Sequence, residues 1–137
     1  GYALQLALKK GYKVAVITGG GSVQVKDRLN GLGVNDTYMN VRHKDEAMAD
    51  FKFSHDLEYD SILYMGDDIP DICALQMVGL PTCPADACPE VKSMSKFISK
   101  IKGGEGCVRD IIEQVMRAQG NWFDLETETH NLADFTW

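Results

Sequence analysis

The sequence lacks the features that mark a membrane protein, a zinc module or a nucleic-acid-binding protein. No apolar run in its 137 residues is longer than a strand, so we expect no transmembrane helix and no membrane partner. A net charge of -6 provides no basic surface for nucleic acid, and we expect no such partner. No pair of cysteines has the two-residue gap of a zinc knuckle, and the three histidines are scattered. We therefore expect a cytoplasmic protein with free thiols at Cys73, Cys83, Cys88 and Cys107.

What the sequence does contain is an alternation of strand-like and helix-like segments. Continuous apolar runs at residues 14–17 and 61–65 predict two strands buried on both faces. Segments with helical spacing of apolar residues alternate with the strands, among them one with Val25, Leu29 and Leu32 on its inward side and one with Val108, Ile111, Ile112 and Val115 on its inward side. This alternation predicts an α/β fold, a Rossmann-like parallel sheet with helices on both faces and right-handed crossovers. Further strands are expected at 36–41, 80–83 and 97–99, and helices at 3–8, 22–32, 44–57, 70–78 and 108–115.

The apolar periodicity ends near residue 120. Beyond it, Phe123, Phe135 and Trp137 are scattered among acidic and polar residues. We therefore expect one domain over residues 1–120 and a C-terminal tail over residues 121–137 that lies outside the core.

A glycine-rich segment follows the first predicted strand. Thr18 is followed by Gly19, Gly20 and Gly21, and then by Ser22, where a helix is expected to begin. Glycines let the backbone present N–H groups, and a helix N-terminus adds partial positive charge, so these residues could hold a phosphate. A plain strand-to-helix turn with Ser22 as N-cap explains the segment equally well. The spacing fits neither a dinucleotide fingerprint nor a Walker loop.

Three carboxylates follow the second predicted strand. Asp67, Asp68 and Asp71 lie within five residues, directly after Gly66. They repel one another unless a cation lies among them, and hard oxygen ligands suit Mg²⁺. An acidic turn in which Asp68 or Asp71 caps the next helix is the alternative, and we favour the metal. Lys44, at the start of a predicted helix, could reach a phosphate, although by itself it is more simply a surface lysine.

Taken in order, these residues resemble the motifs of the haloacid dehalogenase superfamily of phosphohydrolases. Thr18 matches the second motif of that family and Lys44 the third, and the three aspartates match its acidic fourth motif. Residues 1–120 resemble in particular the 3-deoxy-D-manno-octulosonate 8-phosphate phosphatases. That closer resemblance is carried by Ile17-Thr18-Gly19, Gly66-Asp67-Asp68, Gly79-Leu80, Ala85-Asp86-Ala87, Gly103-Gly104-x-Gly106, Val108-Arg109 and Ala118-Gln119-Gly120.

The resemblance implies a capless, Mg²⁺-dependent phosphatase that assembles as a homotetramer. It implies hydrolysis of a phosphorylated sugar acid, 3-deoxy-D-manno-octulosonate 8-phosphate, a precursor in lipopolysaccharide biosynthesis. In that scheme an aspartate attacks phosphorus and water hydrolyses the aspartyl-phosphate. The implied roles are phosphate binding by Thr18, Gly19, Gly20 and Lys44, with Thr18 and Lys44 also catalytic, and Mg²⁺ binding by Asp67, supported by Asp68 and Asp71.

The sequence departs from that family in three places. Gly20 and Glu105 stand where the family often has arginine. No Asp-x-Asp motif precedes Thr18, and in the family its first aspartate is the nucleophile and its second the general acid. The chain also opens without a start methionine and runs straight into a helical pattern, so we expect an N-terminal strand to be missing from residues 1–137. These residues alone are then expected not to turn over.

Two other functions remain open at this point. One is the same chemistry on a nine-carbon substrate, 2-keto-3-deoxynononate or sialic acid 9-phosphate. The other is a non-catalytic oligomerisation domain of a sialic-acid-activating enzyme, which the missing Asp-x-Asp would fit. The intact acidic cluster and Lys44 favour an enzyme, because a purely structural domain has no reason to keep like charges together.

Overall fold

The structure, a computed structural model, describes residues 1–136, without the side chains of residues 127–131. Trp137, expected to belong to the tail, lies outside the described residues. The chain divides into two compact units. The first comprises Gly1–Asn40 together with the chain from Ile111 onward, and the second comprises Val41–Asp110.

Helices and parallel strands alternate along the chain, which confirms the predicted α/β class. The first elements are α1 (Tyr2–Lys9), β1 (Ala15–Ile17), α2 (Val23–Gly31), β2 (Asp36–Tyr38), α3 (Lys44–Ser54), a 3-10 turn (Tyr59–Ser61) and β3 (Leu63–Met65). A 3-10 turn (Ile69–Asp71), α4 (Ile72–Leu75), β4 (Leu80–Cys83), α5 (Pro89–Met94), β5 (Phe97–Ile98), α6 (Cys107–Ala118), α7 (Leu125–Glu128) and a 3-10 segment (Thr129–Asp134) follow.

The first unit contains a two-stranded parallel sheet. β1 pairs with β2 in a register that sets Ala15 opposite Asp36 and Ile17 opposite Tyr38. The prediction of strands buried on both faces was wrong, because every residue of β3, and likewise of β1, is only partly buried. Among residues 1–136, β2 is its only strand partner, so β1 is an edge strand.

Helix α2 begins as predicted but is less buried than its spacing suggests. The Ser22 side chain accepts a hydrogen bond from the Val25 amide at 3.2 Å, so Ser22 is the N-cap. The expected inward face was wrong: no residue of α2 is buried, and Val23 and Val25 are 72% and 48% exposed.

The second unit contains the sheet that positions the acidic segment. β3, β4 and β5 are parallel and adjacent in that order, with Leu63 opposite Leu80 and Thr82 opposite Phe97. Because parallel strands end at the same edge of a sheet, the loops that follow all three lie on one side. Two buried apolar clusters stabilise this unit by removing side chains from water: one of Met48, Ile62, Ala74 and Val78, and one of Leu75, Cys83, Ala87 and Val91.

The segment after residue 120 packs against the core of the first unit, which the sequence did not predict. Trp122, Phe123 and Phe135 contact the buried cluster of Leu6, Ala7 and Met116. The backbone of Thr136 is held by Gln5, whose amide oxygen accepts at 2.7 Å and whose amide nitrogen donates at 2.6 Å. Contacts of these large aromatic side chains hold the segment against the core, although its sequence has no helical spacing of apolar residues.

Helix α6 and the cysteines bear on two smaller predictions. Val108, expected on the inward face of the helix, is 48% exposed, whereas Cys107, Ile111 and Met116 are buried. All four cysteines are free thiols as expected; Cys73 is exposed, whereas Cys83 and Cys107 are buried. Over residues 1–136, none of the helices is both long and apolar enough to cross a bilayer.

Candidate functional site

The acidic segment after β3 forms a tight turn held by its own carboxylates. Asp68 is the N-cap, and its Oδ1 accepts from the Ile69 amide at 2.8 Å. Asp71 Oδ2 accepts from the amides of Asp67 and Asp68 at 2.9 and 3.3 Å. A Cβ at Gly66 would lie 2.4 Å from the Asp71 Cβ, so only glycine lets the chain pass this close. Asp68 and Asp71 therefore cap the helical turn at Ile69–Asp71, as the alternative interpretation of the acidic segment predicted.

Asp71 also ties the turn to two other elements of the second unit. Its Oδ1 accepts from Lys44 Nζ, at the start of α3, at 2.7 Å. The same oxygen accepts from the Tyr64 hydroxyl, in β3, at 2.8 Å. Asp71 is only 4% exposed, and the Lys44 side chain is 17% exposed. The structure thus brings together Lys44 and the acidic segment, although 23 residues or more separate them in the chain.

Burial and the hydrogen bonds around Asp71 determine the protonation states of Asp71 and Tyr64. Burial by itself would raise the pKa of Asp71, but hydrogen bonds from Lys44, the two turn amides and Tyr64 lower it below the ordinary value. Asp71 is therefore ionised at neutral pH. Burial, and then the hydrogen bond to Asp71, raise the pKa of Tyr64, so its phenol remains a donor.

Asp67 has the opposite electrostatic environment. Partial burial of its carboxylate, followed by the proximity of Asp71, raises its pKa, and the charge of Asp68 adds to the effect. Negative charge is therefore in excess around Asp67, which is the environment that a divalent cation relieves. No set of three histidine, cysteine or acidic residues gathers as a metal site within the described part of the chain. Mg²⁺ fits this donor set, since it is commonly held by one or two carboxylates, waters and phosphate oxygens.

The glycine-rich segment lies in the first unit. The Thr18 amide donates to the Tyr38 carbonyl at 2.8 Å, which extends the pairing of β1 with β2 by one residue. The Thr18 hydroxyl oxygen accepts from the Gly20 amide at 3.2 Å. Asn40 donates to the Gly20 carbonyl at 2.9 Å. The segment is therefore anchored at both sides and does not depend on a ligand for its shape.

Two glycines of this segment have different structural roles. Gly21 has a φ of 118°, and a Cβ there would lie 2.7 Å from the Met39 sulfur, so a side chain is excluded. At Gly20 a Cβ would meet nothing within 4 Å. Gly19 and Gly20 are both exposed, and Thr18 is partly buried. The segment is thus a strand-to-helix turn with Ser22 as N-cap, and it also exposes Gly19 and Gly20 to solvent.

Tyr64 was missed by the sequence analysis, which treated it as one more apolar residue of a strand. Its hydroxyl donates to the Asp71 carboxylate, which also accepts hydrogen bonds from the Lys44 ammonium and from two backbone amides. The available signal was a residue with a polar tip two positions before Gly66, in a run that otherwise carries no polar group after Ser61.

Comparison with known proteins gives a consistent result. No protein-family model matches the chain. The 3-deoxy-D-manno-octulosonate 8-phosphate phosphatase KdsC of Escherichia coli K12 is 32% identical over 120 residues, which are 88% of this chain and 64% of that protein. A solved structure of the phosphatase of that name from Moraxella catarrhalis, in complex with magnesium, phosphate and KDO, has a TM-score of 0.84 at 29% identity, over 88% of this chain and 69% of its own. A putative HAD superfamily (subfamily III A) hydrolase from Legionella pneumophila has a TM-score of 0.82 at 31% identity, over 86% of this chain and 65% of its own.

In sequence and in fold the chain is similar to hydrolases of the haloacid dehalogenase superfamily. The branch that it matches is that of the 3-deoxy-D-manno-octulosonate 8-phosphate phosphatases. The chain spans 64% of the length of the curated relatives it matches.

Proposed function

We propose that the chain is the magnesium- and phosphate-binding part of a phosphatase that hydrolyses 3-deoxy-D-manno-octulosonate 8-phosphate to the free sugar acid and phosphate. The observation that carries the proposal is the Lys44–Asp71 ion pair of 2.7 Å directly under the Asp67 turn. It places a partly buried cation beside an excess of carboxylate, which a phosphoryl group and a metal ion would balance together.

Asp67 is the residue proposed to bind Mg²⁺. Its raised pKa marks a carboxylate that lacks a balancing cation, and the turn fixes its backbone through the hydrogen bond to Asp71. When bound, Mg²⁺ supplies charge neutralisation at the phosphoryl oxygens. Asp68 and Asp71 are proposed to support Asp67, because both shape the turn rather than project from it.

Lys44 and the Thr18 segment are the proposed phosphate-binding groups. Lys44 is held by Asp71 and its side chain is 17% exposed, so it can stabilise negative charge without moving. The Thr18 hydroxyl and the amides of Gly19 and Gly20 are the hydrogen-bond donors proposed for phosphoryl oxygens, and the Gly20 amide would exchange its 3.2 Å bond to the Thr18 hydroxyl for one to the phosphate. The attacking aspartate is not assigned to any residue, because no two aspartates of the chain are separated by a single residue.

The proposed assembly is a homotetramer, and the proposed substrate is the eight-carbon sugar acid phosphate. Support for the substrate comes from the curated relatives, whose names specify that compound, and from the relative solved with KDO and phosphate. Comparing phosphate release from the eight-carbon and the nine-carbon 2-keto sugar acid phosphates distinguishes the two substrates. Faster hydrolysis of the nine-carbon compound would reassign the substrate and keep the chemistry.

Replacing the proposed metal ligand is the direct test. In the full-length protein, Asp67→Ala is expected to abolish Mg²⁺-dependent phosphate release, a loss of about 100-fold or more, because the ion loses its protein carboxylate. Phosphate release is measured against Mg²⁺ concentration for both proteins. The matched control is Glu58→Ala, which removes an exposed carboxylate of the same unit. Unchanged turnover and Mg²⁺ dependence in Asp67→Ala would rule out the metal assignment.

A further inference from the structure

Three loops lie at the edge of the second-unit sheet where the metal is proposed to bind. They follow β3, β4 and β5, which are parallel neighbours and so end on the same side. The first is the Asp67 turn, and the second carries Asp86. The third is a glycine-rich loop over residues 102–106, which contains none of the proposed metal or phosphate ligands.

Specific hydrogen bonds join these three loops in series. The Cys88 amide donates to the Asp67 carbonyl at 2.9 Å, which fixes the second loop to the metal-binding turn. The Gly103 amide donates to Asp86 Oδ1 at 2.8 Å, and the Ala85 amide donates to the Ile101 carbonyl at 3.0 Å. The glycine-rich loop is thus held in place relative to Asp67 through the loop that carries Asp86.

The glycine-rich loop needs such an anchor. Gly104 and Gly106 have φ values of 76° and 106°, a conformation that costs backbone entropy and that few other residues adopt. Asp86 is exposed, so its side chain contributes no buried area to the core, and its carboxylate instead holds the loop. Backbone bonds add to this anchor: the Glu105 amide donates to the Lys102 carbonyl at 3.1 Å, and the Asp110 amide donates to the Gly106 carbonyl at 3.1 Å.

We infer that Asp86 is a positioning residue that sets the glycine-rich loop, residues 102–106, as the wall of the site that binds the sugar-acid part of the substrate. The inference deepens the proposed function and rests on it. The loop supplies backbone amides without side-chain obstruction and the exposed cation Lys102, which suits a ligand rich in carboxylate and hydroxyl oxygens. Asp86 acts through Gly103, so it affects sugar-acid affinity and not the metal.

The test measures binding to the isotope-labelled protein by NMR, with three probes added in turn: Mg²⁺, inorganic phosphate and the free sugar acid KDO. KDO is expected to shift the amide signals of Gly103 and Gly104. Asp86→Ala is expected to weaken KDO binding by about five-fold, the effect of one lost hydrogen bond, with Mg²⁺ affinity unchanged. Asp86→Asn keeps an oxygen acceptor at the same place and is expected to restore the affinity of the wild type.

The outcomes separate this inference from the proposed function. Wild-type affinity for KDO in Asp86→Ala, or an equal loss in Asp86→Asn, would overturn the positioning role. Unshifted Gly103 and Gly104 signals in the wild type would also overturn it, whatever the variants do. A wild-type protein that binds neither Mg²⁺ nor phosphate would instead overturn the proposed function, and the inference with it. Because Asp86 is exposed, both variants are expected to fold, and the dispersion of the same spectra reports it.

Discussion

At the scale of single residues, Asp71 combines structural and functional demands in one carboxylate. Four donors converge on it: an ammonium, a phenol and two backbone amides. A buried charge with so many partners holds its neighbours in fixed positions, and the loss of that charge leaves the partly buried Lys44 without its counterion. The residue proposed to orient a catalytic lysine is therefore also expected to matter for stability.

Asp71→Asn is expected to lower the free energy of unfolding by about 3 kcal/mol at pH 7, because it breaks a buried ion pair while keeping the shape. The pKa of Asp71 is lowered in the folded state, so its contribution is present above about pH 4, the unfolded value, and is lost as pH falls further. Urea unfolding of wild type and variant from pH 7 to pH 3 measures this. The difference in stability between the two proteins should shrink below pH 4. A constant difference would contradict the assigned ionisation.

Asp67→Asn should have the opposite effect on stability. The pKa of Asp67 is raised, so its ionised form is disfavoured by folding at neutral pH, and the neutral amide removes that penalty. We expect the metal-free variant to be more stable than the wild type at pH 7, by less than about 1 kcal/mol because the group is exposed to solvent. Thermal unfolding in the presence of a chelator measures this. If Mg²⁺ binds at Asp67, adding it should stabilise the wild type and leave the variant unchanged.

Gly20→Arg tests the departure from the family at the phosphate segment. Open space surrounds the position, and its φ lies outside the left-handed region, so an arginine should fit at a cost within about 0.5 kcal/mol. If this side chain reaches the substrate, as the family resemblance implies, kcat/KM should rise several-fold. That is the effect expected of one additional charge-assisted hydrogen bond. Steady-state kinetics of the full-length protein measures this, with Gly20→Ala as the control. An unchanged kcat/KM would show that no guanidinium is needed there.

The sequence allowed the candidate residues to be found, but not the contacts among them. Asp67, Asp68 and Asp71 were recognisable because three like charges in five residues are costly without a purpose. The bond of Asp71 to Tyr64 was not, since it depends on the fold of the turn back towards β3. Sequence spacing identifies residues that are close in the chain. The Lys44–Asp71 ion pair joins residues 27 positions apart, so spacing could not predict it.

At the scale of elements, strand ends were predicted better than burial. β4 matches its expected bounds, and β3 ends at Met65 as expected, because glycine and aspartate mark turns for local steric reasons. The burial of β1 was not predicted correctly, since an apolar run shows what a strand can bury and not which strands pair with it. Helix α6 shows the same limit, with Met116 buried and Val108 exposed.

At the scale of the whole molecule, composition and periodicity set the class but misjudged the C-terminal segment. Its acidic residues suggested a tail outside the core, yet Trp122 and Phe135 pack with Tyr2, the latter at a ring distance of 4.9 Å. Large aromatic side chains can bury enough area to fold a segment that has no regular spacing. Whether residues 121–137 form a separate functional region therefore stays a prediction.

Residues 1–137 contain the proposed metal and phosphate ligands but no assigned nucleophile. They are expected to bind Mg²⁺ and phosphate, since Asp67, Lys44 and Thr18 are present, but to release no phosphate from the sugar acid phosphate. Covalent phosphoryl transfer needs a nucleophile, and the chain has no Asp-x-Asp motif to provide the aspartate. Calorimetric titration measures the binding, with Asp67→Ala as the variant that should lose Mg²⁺, and a phosphate-release assay with and without Mg²⁺ measures turnover. Release that disappears in Asp67→Ala would show that water or a residue of this chain attacks phosphorus, and the assignment of the nucleophile to an Asp-x-Asp motif would have to be abandoned.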